Sequence, residues 1–519
     1  MSSPWSASLA HAHTLAGQAR FADCLAQCQQ LLDTHSGEVG ALLDVAALLL
    51  GFGFLSAARQ CLNHARHLAP NDLRPLVNLA NLAREAGEHA VSRQLYARLL
   101  AQLPDHPMIR RNALVSLEYD PDVSAADRLA QAVDWGTWAM ARAGGMRPRL
   151  ALPALAQRPL RVGYVSADFC QHTVGLFVKD VLLAHDPQRV TVLAYNASAV
   201  NDWVTAALRQ GCLWREVGTL DDTALAALIR QDEVDVLVDL SGHTAGSRLT
   251  VFAHRPAPVL VSWLGYFATT GLPVMDAVLL DGWHAPAGTE SQFVEPIVRL
   301  PQGRFCYTPV PFAPTEVAPP PCVANGFVTF GCFNNSAKLN PRVLATWAAI
   351  LQAVPTARLV LKWRTFEDAA LRDAVTATFV AHGIDPARLT LRGASFHADL
   401  LREYADIDIA LDPFPFTGGL SSCEALWMGV PIITWPQAQV VSRQTWAFLS
   451  VIGHPEWAAT CQADYVQQAV ALAADVAHLA QLRTTLRPTL QASPLCQVAA
   501  FTRGLEDALM GLAHTVAPA

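Results

Sequence analysis

Two kinds of hydrophobic spacing divide the chain. In its front part apolar positions recur every three or four residues, as in LLDVAALLL and ARQCLNHARHL. That is the period of helices with one buried stripe. From Pro159 the apolar positions gather into short continuous runs: LRVGYVS, VTVLAYN, VDVLVDLSG, VLVSWLGY and AVLLDG. Most are separated by helix-like stretches such as DDTALAALIRQ. Continuous apolar strands alternating with helices predict a parallel sheet covered on both faces. A second series follows a proline-rich stretch at 308–321: FVTFGCF, ARLVLKW, RLTLRG, DIALD and VPIITWP. It predicts a second sheet of the same kind, joined to the first by one linker.

The helical front repeats itself. Pro70 and Pro104 are 34 residues apart, with Ser36 one period earlier. Gly53 and Gly87 share the spacing, with Ala19 before them; Cys24, Ala58 and Ser92 form a third series, and Leu62 aligns with Tyr96. Small residues at fixed intervals let two helix backbones approach, and stacking neighbours buries each apolar stripe. The pattern resembles the tetratricopeptide repeat, with three repeats near 5–38, 39–72 and 73–106. The reading is a repeat module over 1–110 and a helical linker over 111–157. That linker is interrupted at Tyr119-Asp120-Pro121 and turns proline-rich from Arg147. Behind it come a first lobe at 158–308, a linker at 309–324, a second lobe at 325–495 and a final helix at 496–519.

Length and composition agree with several packed cores. The chain has 519 residues, 52% hydrophobic and only 16% charged, which excludes a disordered protein. A net charge of -7 with no basic run argues against nucleic acid as a partner. Eleven scattered cysteines without a CxxC pair suggest neither a zinc site nor a disulfide framework. The N-terminal stretch lacks the basic and apolar regions of a secretory signal, and VAALLLGFGFL is too short to span a bilayer. A cytoplasmic protein with no membrane partner is expected.

Two doubly wound lobes would enclose a cleft at the carboxyl ends of their strands, where ligands of such sheets bind. The candidate residues follow those strands. After DIALD, Gly418 and Gly419 form a turn, and Ser421 and Ser422 open a helix that carries Glu424. Exposed amides and the positive end of a helix dipole suit a pyrophosphate, and Glu424 suits ribose hydroxyls; equally, a Gly-Gly turn with a serine cap needs no ligand. After FVTFGCF, Asn335 could bond a phosphate oxygen, and Lys338 could neutralise a leaving diphosphate. In the first lobe, GYVSADFCQH places His172 at the tip of the first strand. DLSGHT supplies Asp239 and His243, and WLGYFATTG brings Gly265, Tyr266 and Thr270. No HExxH-type spacing supports a metal.

In this order, GYVSADFCQH, DLSGHT, RPAPVLVSWLGYFATTG, FNNSAKLNP and LDPFPFTGGLSSCEALWMGVPIIT resemble the O-linked N-acetylglucosamine transferase and SPINDLY family, specifically bacterial members with few repeats. The resemblance covers nearly the whole chain. It implies a GT-B fold behind a tetratricopeptide superhelix. It also implies an inverting, metal-independent transfer of GlcNAc from UDP-GlcNAc to Ser or Thr hydroxyls of proteins, with no cofactor. A protein or peptide acceptor would reach the enzyme by way of the repeat groove. By the same resemblance Lys338 contacts the donor diphosphate and His172 is the active-site histidine. Asn335 stands where the family has a phosphate-contacting glutamine. Gly419, Leu420 and Ser421 match a His-Thr-Thr diphosphate segment, and Glu424 a ribose-binding aspartate. Ser395, Phe396 and His397, with Leu400 and Glu403, match the segment around the uracil. The sequence departs from the pattern at Gly419 and Leu420, and at His397, where animal members carry lysine. The general base is left among His172, Asp239 and a phosphate oxygen of the donor. A GDP-fucose-dependent transferase and a weakly catalytic repeat scaffold that still binds nucleotide stand as alternatives.

Overall fold

The computed structural model describes residues 3–153 and 158–516; residues 154–157, the end of the expected helical linker, lie outside the described residues. Three helix pairs open the chain: α1 (Ser6–Gly17) with α2 (Phe21–His35), α3 (Val39–Phe52) with α4 (Leu55–Leu68), and α5 (Arg74–Glu85) with α6 (His89–Gln102). Cys24, Ala58 and Ser92 are all buried at equivalent points of the three pairs. Small side chains there let the paired helices close on each other. Between paired helices the chain turns through Ala19, Gly53 and Gly87, all at positive φ. The two glycines have a second constraint. A Cβ on Gly53 would strike the Arg364 carbonyl, and one on Gly87 would lie 2.9 Å from the Leu339 carbonyl. The turns of the second and third pairs therefore sit directly on the second lobe. Ser56 adds a bond from its amide to Asp368 (2.6 Å), and Ser336 donates to the Glu85 carbonyl (2.8 Å).

Helices α7 (Pro107–Leu117) and α8 (Ala125–Arg142) then lead to the first sheet. Its strands are β1 (Leu160–Ser166), β2 (Val190–Asn196), β3 (Leu213–Glu216), β4 (Val236–Asp239), β5 (Val259–Trp263), β6 (Ala277–Leu280) and β7 (Ile297–Arg299). They are all parallel, in the order β3-β2-β1-β4-β5-β6-β7. The second sheet holds β8 (Thr329–Cys332), β9 (Arg358–Lys362), β10 (Leu389–Arg392), β11 (Ile409–Leu411) and β12 (Ile432–Ile433). It too is parallel, in the order β10-β9-β8-β11-β12. The central strands β4, β5, β6 and β8 are buried at every residue, as a parallel sheet covered on both faces requires. The strand order reverses between β1 and β4 and again between β8 and β11. These switch points open a crevice at the carboxyl ends of the strands.

The last helix, Val498–Val516, crosses back to the first lobe. Its buried Glu506 accepts from the Asp186 amide (2.8 Å) and from Arg189 (2.7 Å), and pairs with His185 (3.1 Å). All eleven cysteines are unpaired. No helix among the described residues is long and apolar enough to cross a membrane.

Candidate active site

The crevice between the lobes is a cavity of about 460 Å³, within the range of small-ligand sites. Its floor is built at the second lobe's switch point. Beyond β8 the chain makes a short turn, Ser336–Lys338, capped by Asn335, whose Oδ1 accepts from the Ala337 amide (2.9 Å). The turn aims Lys338 at the cleft. Its Nζ donates to Asn334 Oδ1 (2.9 Å) and to the Thr417 carbonyl (2.8 Å), and lies 4.6 Å from the Phe416 ring centroid. Neither hydrogen-bond acceptor is charged. Burial pushes the ammonium down to about 8, an effect that Asp412 and Cys332 only partly offset. An ammonium with three donors, two of them engaged by neutral groups, is a receptor for an anion.

The loop after β11 comes to the same point. Gly418 donates its amide to the buried Asp412 (2.6 Å), which anchors the turn. The helix Leu420–Trp427 starts at once, with Gly419 as its N-cap. Ser422 and Cys423 give their amides to the Gly419 carbonyl. Among the described residues, the amides of Leu420 and Ser421 have no partner. Ser421 Oγ donates to Asn334 Oδ1 (3.0 Å), the atom that also receives Lys338. One asparagine thus ties the ammonium to the helix start, and positive potential from both meets in one place.

Further along, His397 Nε2 is 2.6 Å from Glu424 Oε1, and Leu400 stands beside them in the cleft wall. Ser395 and Glu403 do not line the cavity. The buried Lys362 holds them, with Nζ 2.6 Å from Ser395 Oγ and 2.8 Å from Glu403 Oε1. Phe396 is exposed beside them. Ser422 is buried, its hydroxyl 2.7 Å from that of Thr445.

The first lobe behaves differently. His172 lines the cleft as the N-cap of the helix Thr173–Leu183, with Nδ1 accepting from the Val174 amide (3.3 Å). Gly265 also lines it, and the position needs glycine because a Cβ there would strike the Leu240 carbonyl. The other four candidates turn inward. Asp239 is buried and accepts from the amides of Gly242 (2.7 Å) and Ser241 (3.2 Å); burial pushes it up to about 7. His243 Nε2 donates to the Thr270 carbonyl (2.9 Å) between the rings of Trp135 and Tyr266, and burial drives it down to about 3. Tyr266 donates to the buried Glu118 (3.4 Å), and the Thr270 amide to Glu295 (2.7 Å). These groups fix the loops behind the wall.

Several wall residues stand outside the sequence candidates. Phe416 lies two residues before the Gly418 turn, and Asn334 one residue before Asn335. Tyr119, from the break between α7 and α8, stacks on Phe416 at 4.6 Å. Trp363 follows β9. The sequence marks Tyr119 only as part of a helix break; nothing local marks its contact with Phe416, and nothing marks Trp363.

Residues 150–308 and 322–505 match glycosyl transferase family 41. A rice protein (Oryza sativa subsp. japonica) described as probable UDP-N-acetylglucosamine--peptide N-acetylglucosaminyltransferase SPINDLY is 39% identical over 425 residues, 80% of this chain and 45% of its own length. Its Arabidopsis thaliana counterpart is 38% identical over 412 residues, 78% of this chain and 45% of its own length. The chain thus spans about half the length of these plant relatives. The solved structure of an O-GlcNAc transferase of Thermobaculum terrenum, a lysine-to-methionine variant, is 32% identical and superposes with a TM-score of 0.89 over 99% of both chains. With both lobes matched, this chain belongs to glycosyl transferase family 41.

Proposed function

We propose that the protein transfers N-acetylglucosamine from UDP-GlcNAc to serine or threonine hydroxyls of proteins, with inversion and without a metal ion. The carrying observation is the cationic end of the cleft. Lys338 and the free amides of Leu420 and Ser421 converge where a leaving diphosphate would gain charge. Fixed donors in a water-poor site stabilise that charge without reorganising. The names carried by the plant relatives and by the Thermobaculum transferase support the donor and the acceptor class.

The wall is compatible with inversion. Glu424 is the one carboxylate lining the cleft among the described residues, and His397 engages one of its oxygens. This fits a direct displacement by the acceptor hydroxyl, which inverts the anomeric carbon when the attack comes from the face opposite the leaving diphosphate. Lys338 takes the part a divalent cation would otherwise play. His172 faces the cleft with Nδ1 between the Val174 amide (3.3 Å) and the Asp168 carboxylate (3.5 Å), which leaves Nε2 for sugar or acceptor. Asp239 lies behind the wall with both oxygens engaged. Of the three candidate bases, His172 and a non-bridging phosphate oxygen of the donor are the ones that reach the cleft. The groove of about 510 Å³ between α2, α3 and α4 would receive part of the acceptor protein, and the unpaired cysteines fit the reducing cytoplasm.

Calorimetric titration with UDP, and with GDP as comparator, tests the donor. Intact-mass analysis of a peptide incubated with UDP-GlcNAc tests the transfer. UDP binding that weakens in Lys338→Met, together with an added N-acetylhexosamine, is the expected result. Preference for GDP, or binding untouched by the substitution, would overturn the reading.

A further inference from the structure

A chain of hydrogen bonds crosses the nucleotide end of the cleft. Trp203 opens the first-lobe helix Trp203–Gly211, and Gln171 precedes His172. Trp203 Nε1 donates to Gln171 Oε1 (2.9 Å). Gln171 Nε2 is 3.4 Å from His397 Nδ1 in the second lobe. His397 Nε2 is 2.6 Å from Glu424 Oε1.

Chemistry fixes every direction in this chain. An indole nitrogen only donates, so the amide of Gln171 must present its oxygen to Trp203. Its NH2 then faces His397, and Nδ1 must accept. A neutral imidazole that accepts at Nδ1 carries its proton on Nε2, where it donates to the carboxylate of Glu424. The ends are anchored. The backbone N–H of Gln171 donates to Asp202 (2.6 Å), the residue that caps the Trp203 helix. Phe312, from the linker between the lobes, packs edge-on against both His397 (5.4 Å) and Trp203 (6.4 Å). Glu424 Oε2 has no protein partner among the described residues.

We propose that Trp203 and Gln171 are positioning residues for the donor. Acting through the tautomer of His397, they hold Glu424 with one oxygen engaged and the other turned to receive a ribose hydroxyl. In the same stroke they tie the first lobe to the nucleotide held by the second. This rests on the reading above that the cleft takes a uridine diphosphate sugar. The relay does not touch the reacting atoms, so it acts on donor affinity and leaves the chemical step alone.

Trp203→Phe removes only the indole N–H and keeps the ring between Lys179 and Phe312. Gln171→Met keeps the length of an exposed side chain and removes both polar atoms. Each should weaken UDP binding and raise KM for the donor by about threefold to tenfold, the worth of one hydrogen bond, with kcat within about twofold. Because both cut the same chain, the double variant should lose no more than either single one. In nucleotide-free protein with 15N-labelled histidine, the His397 signals, assigned from their loss in His397→Gln, should show Nε2 protonated and Nδ1 bare. Both variants should release that preference. Unchanged UDP affinity, additive losses, or a proton on Nδ1 in the parent would overturn the proposal. A parent protein that binds no UDP at all would instead fell the donor reading, which the tautomer measurement does not depend on.

Discussion

Both lobes end their central strands at the same cleft, yet they use their polar residues in opposite ways. In the second lobe Asn334, Lys338, Ser421 and Glu424 all face the cavity. In the first lobe Asp239, His243, Tyr266 and Thr270 turn away from it and hold loops in place. There the wall is mainly apolar and backbone: Leu264, Gly265, Phe267 and Phe305. Leu264 stands at φ +71, a conformation few side chains other than glycine adopt, and the buried Arg304 donates to its carbonyl (3.0 Å). The second lobe invests burial in a charge. The first spends hydrogen bonds on shape. A residue at the end of a strand is thus near a ligand in both lobes, but it meets the ligand only where the loop turns its side chain outward.

The largest effect separates the two uses. Lys338→Met should lower single-turnover transfer by about a hundredfold or more. It should not lower the melting temperature, because it removes an ammonium that lacks a bonded counter-ion. Gly265→Ala should do the reverse in kind. The new methyl would displace the Leu240 carbonyl or the loop, costing about 1–3 kcal/mol of stability, and activity should fall with it by about tenfold. Thermal unfolding beside transfer rates checks both. A Lys338→Met protein that melts early, or a Gly265→Ala protein that is stable and inactive, would erase the contrast between the lobes.

The contrast also explains what could be read from the chain. The repeat was visible because helix pairs of one length recur every 34 residues, and the left-handed turns at Gly53 and Gly87 need glycine. The long apolar strands were visible; β3 and β7, short edge strands with no fully buried residue, were not. In the second lobe the glycine turn and the lysine were legible, since both stand on loops whose next element begins immediately. In the first lobe the polar motifs were legible but their direction was not. Whether Asp239 looks into a cleft or into its own turn depends on the amides of Ser241 and Gly242, which every residue possesses. Tyr119 and Phe416 meet only because the chain between α7 and α8, behind the repeats, lies against the second lobe, and no local pattern announces such a contact.

A smaller effect follows from the acidity of Lys338. Burial pushes its ammonium down to about 8, well below an ordinary lysine. The charged form attracts a diphosphate and the neutral form does not. UDP affinity should therefore hold below pH 8 and fall as the pH rises through it, while binding above pH 8 takes up a proton. Calorimetry in buffers of different ionisation enthalpy reads that uptake directly. Flat affinity from pH 7 to 9 would mean that the helix amides hold the diphosphate without the lysine.

The smallest effect isolates the aromatic face under that charge. Phe416 places its ring 4.6 Å from Lys338 Nζ, and Tyr119, from the break between α7 and α8, backs the ring. A ring face attracts a desolvated cation by about 1–2 kcal/mol, so Phe416→Leu should favour the neutral amine. The pH at which UDP affinity begins to fall should then move down from about 8 by about 0.7 to 1.5 units. The opposite shift is also informative. If the smaller side chain admits water, hydration will restore the charge and the break will move up toward an ordinary lysine. A downward shift makes Phe416 a ligand of the ammonium, while an upward one makes it a seal. Tyr119→Ala, which removes the backing without touching the lysine, should shift the break in the same direction by less, and no shift at all would confine Tyr119 to holding the loop of Phe416.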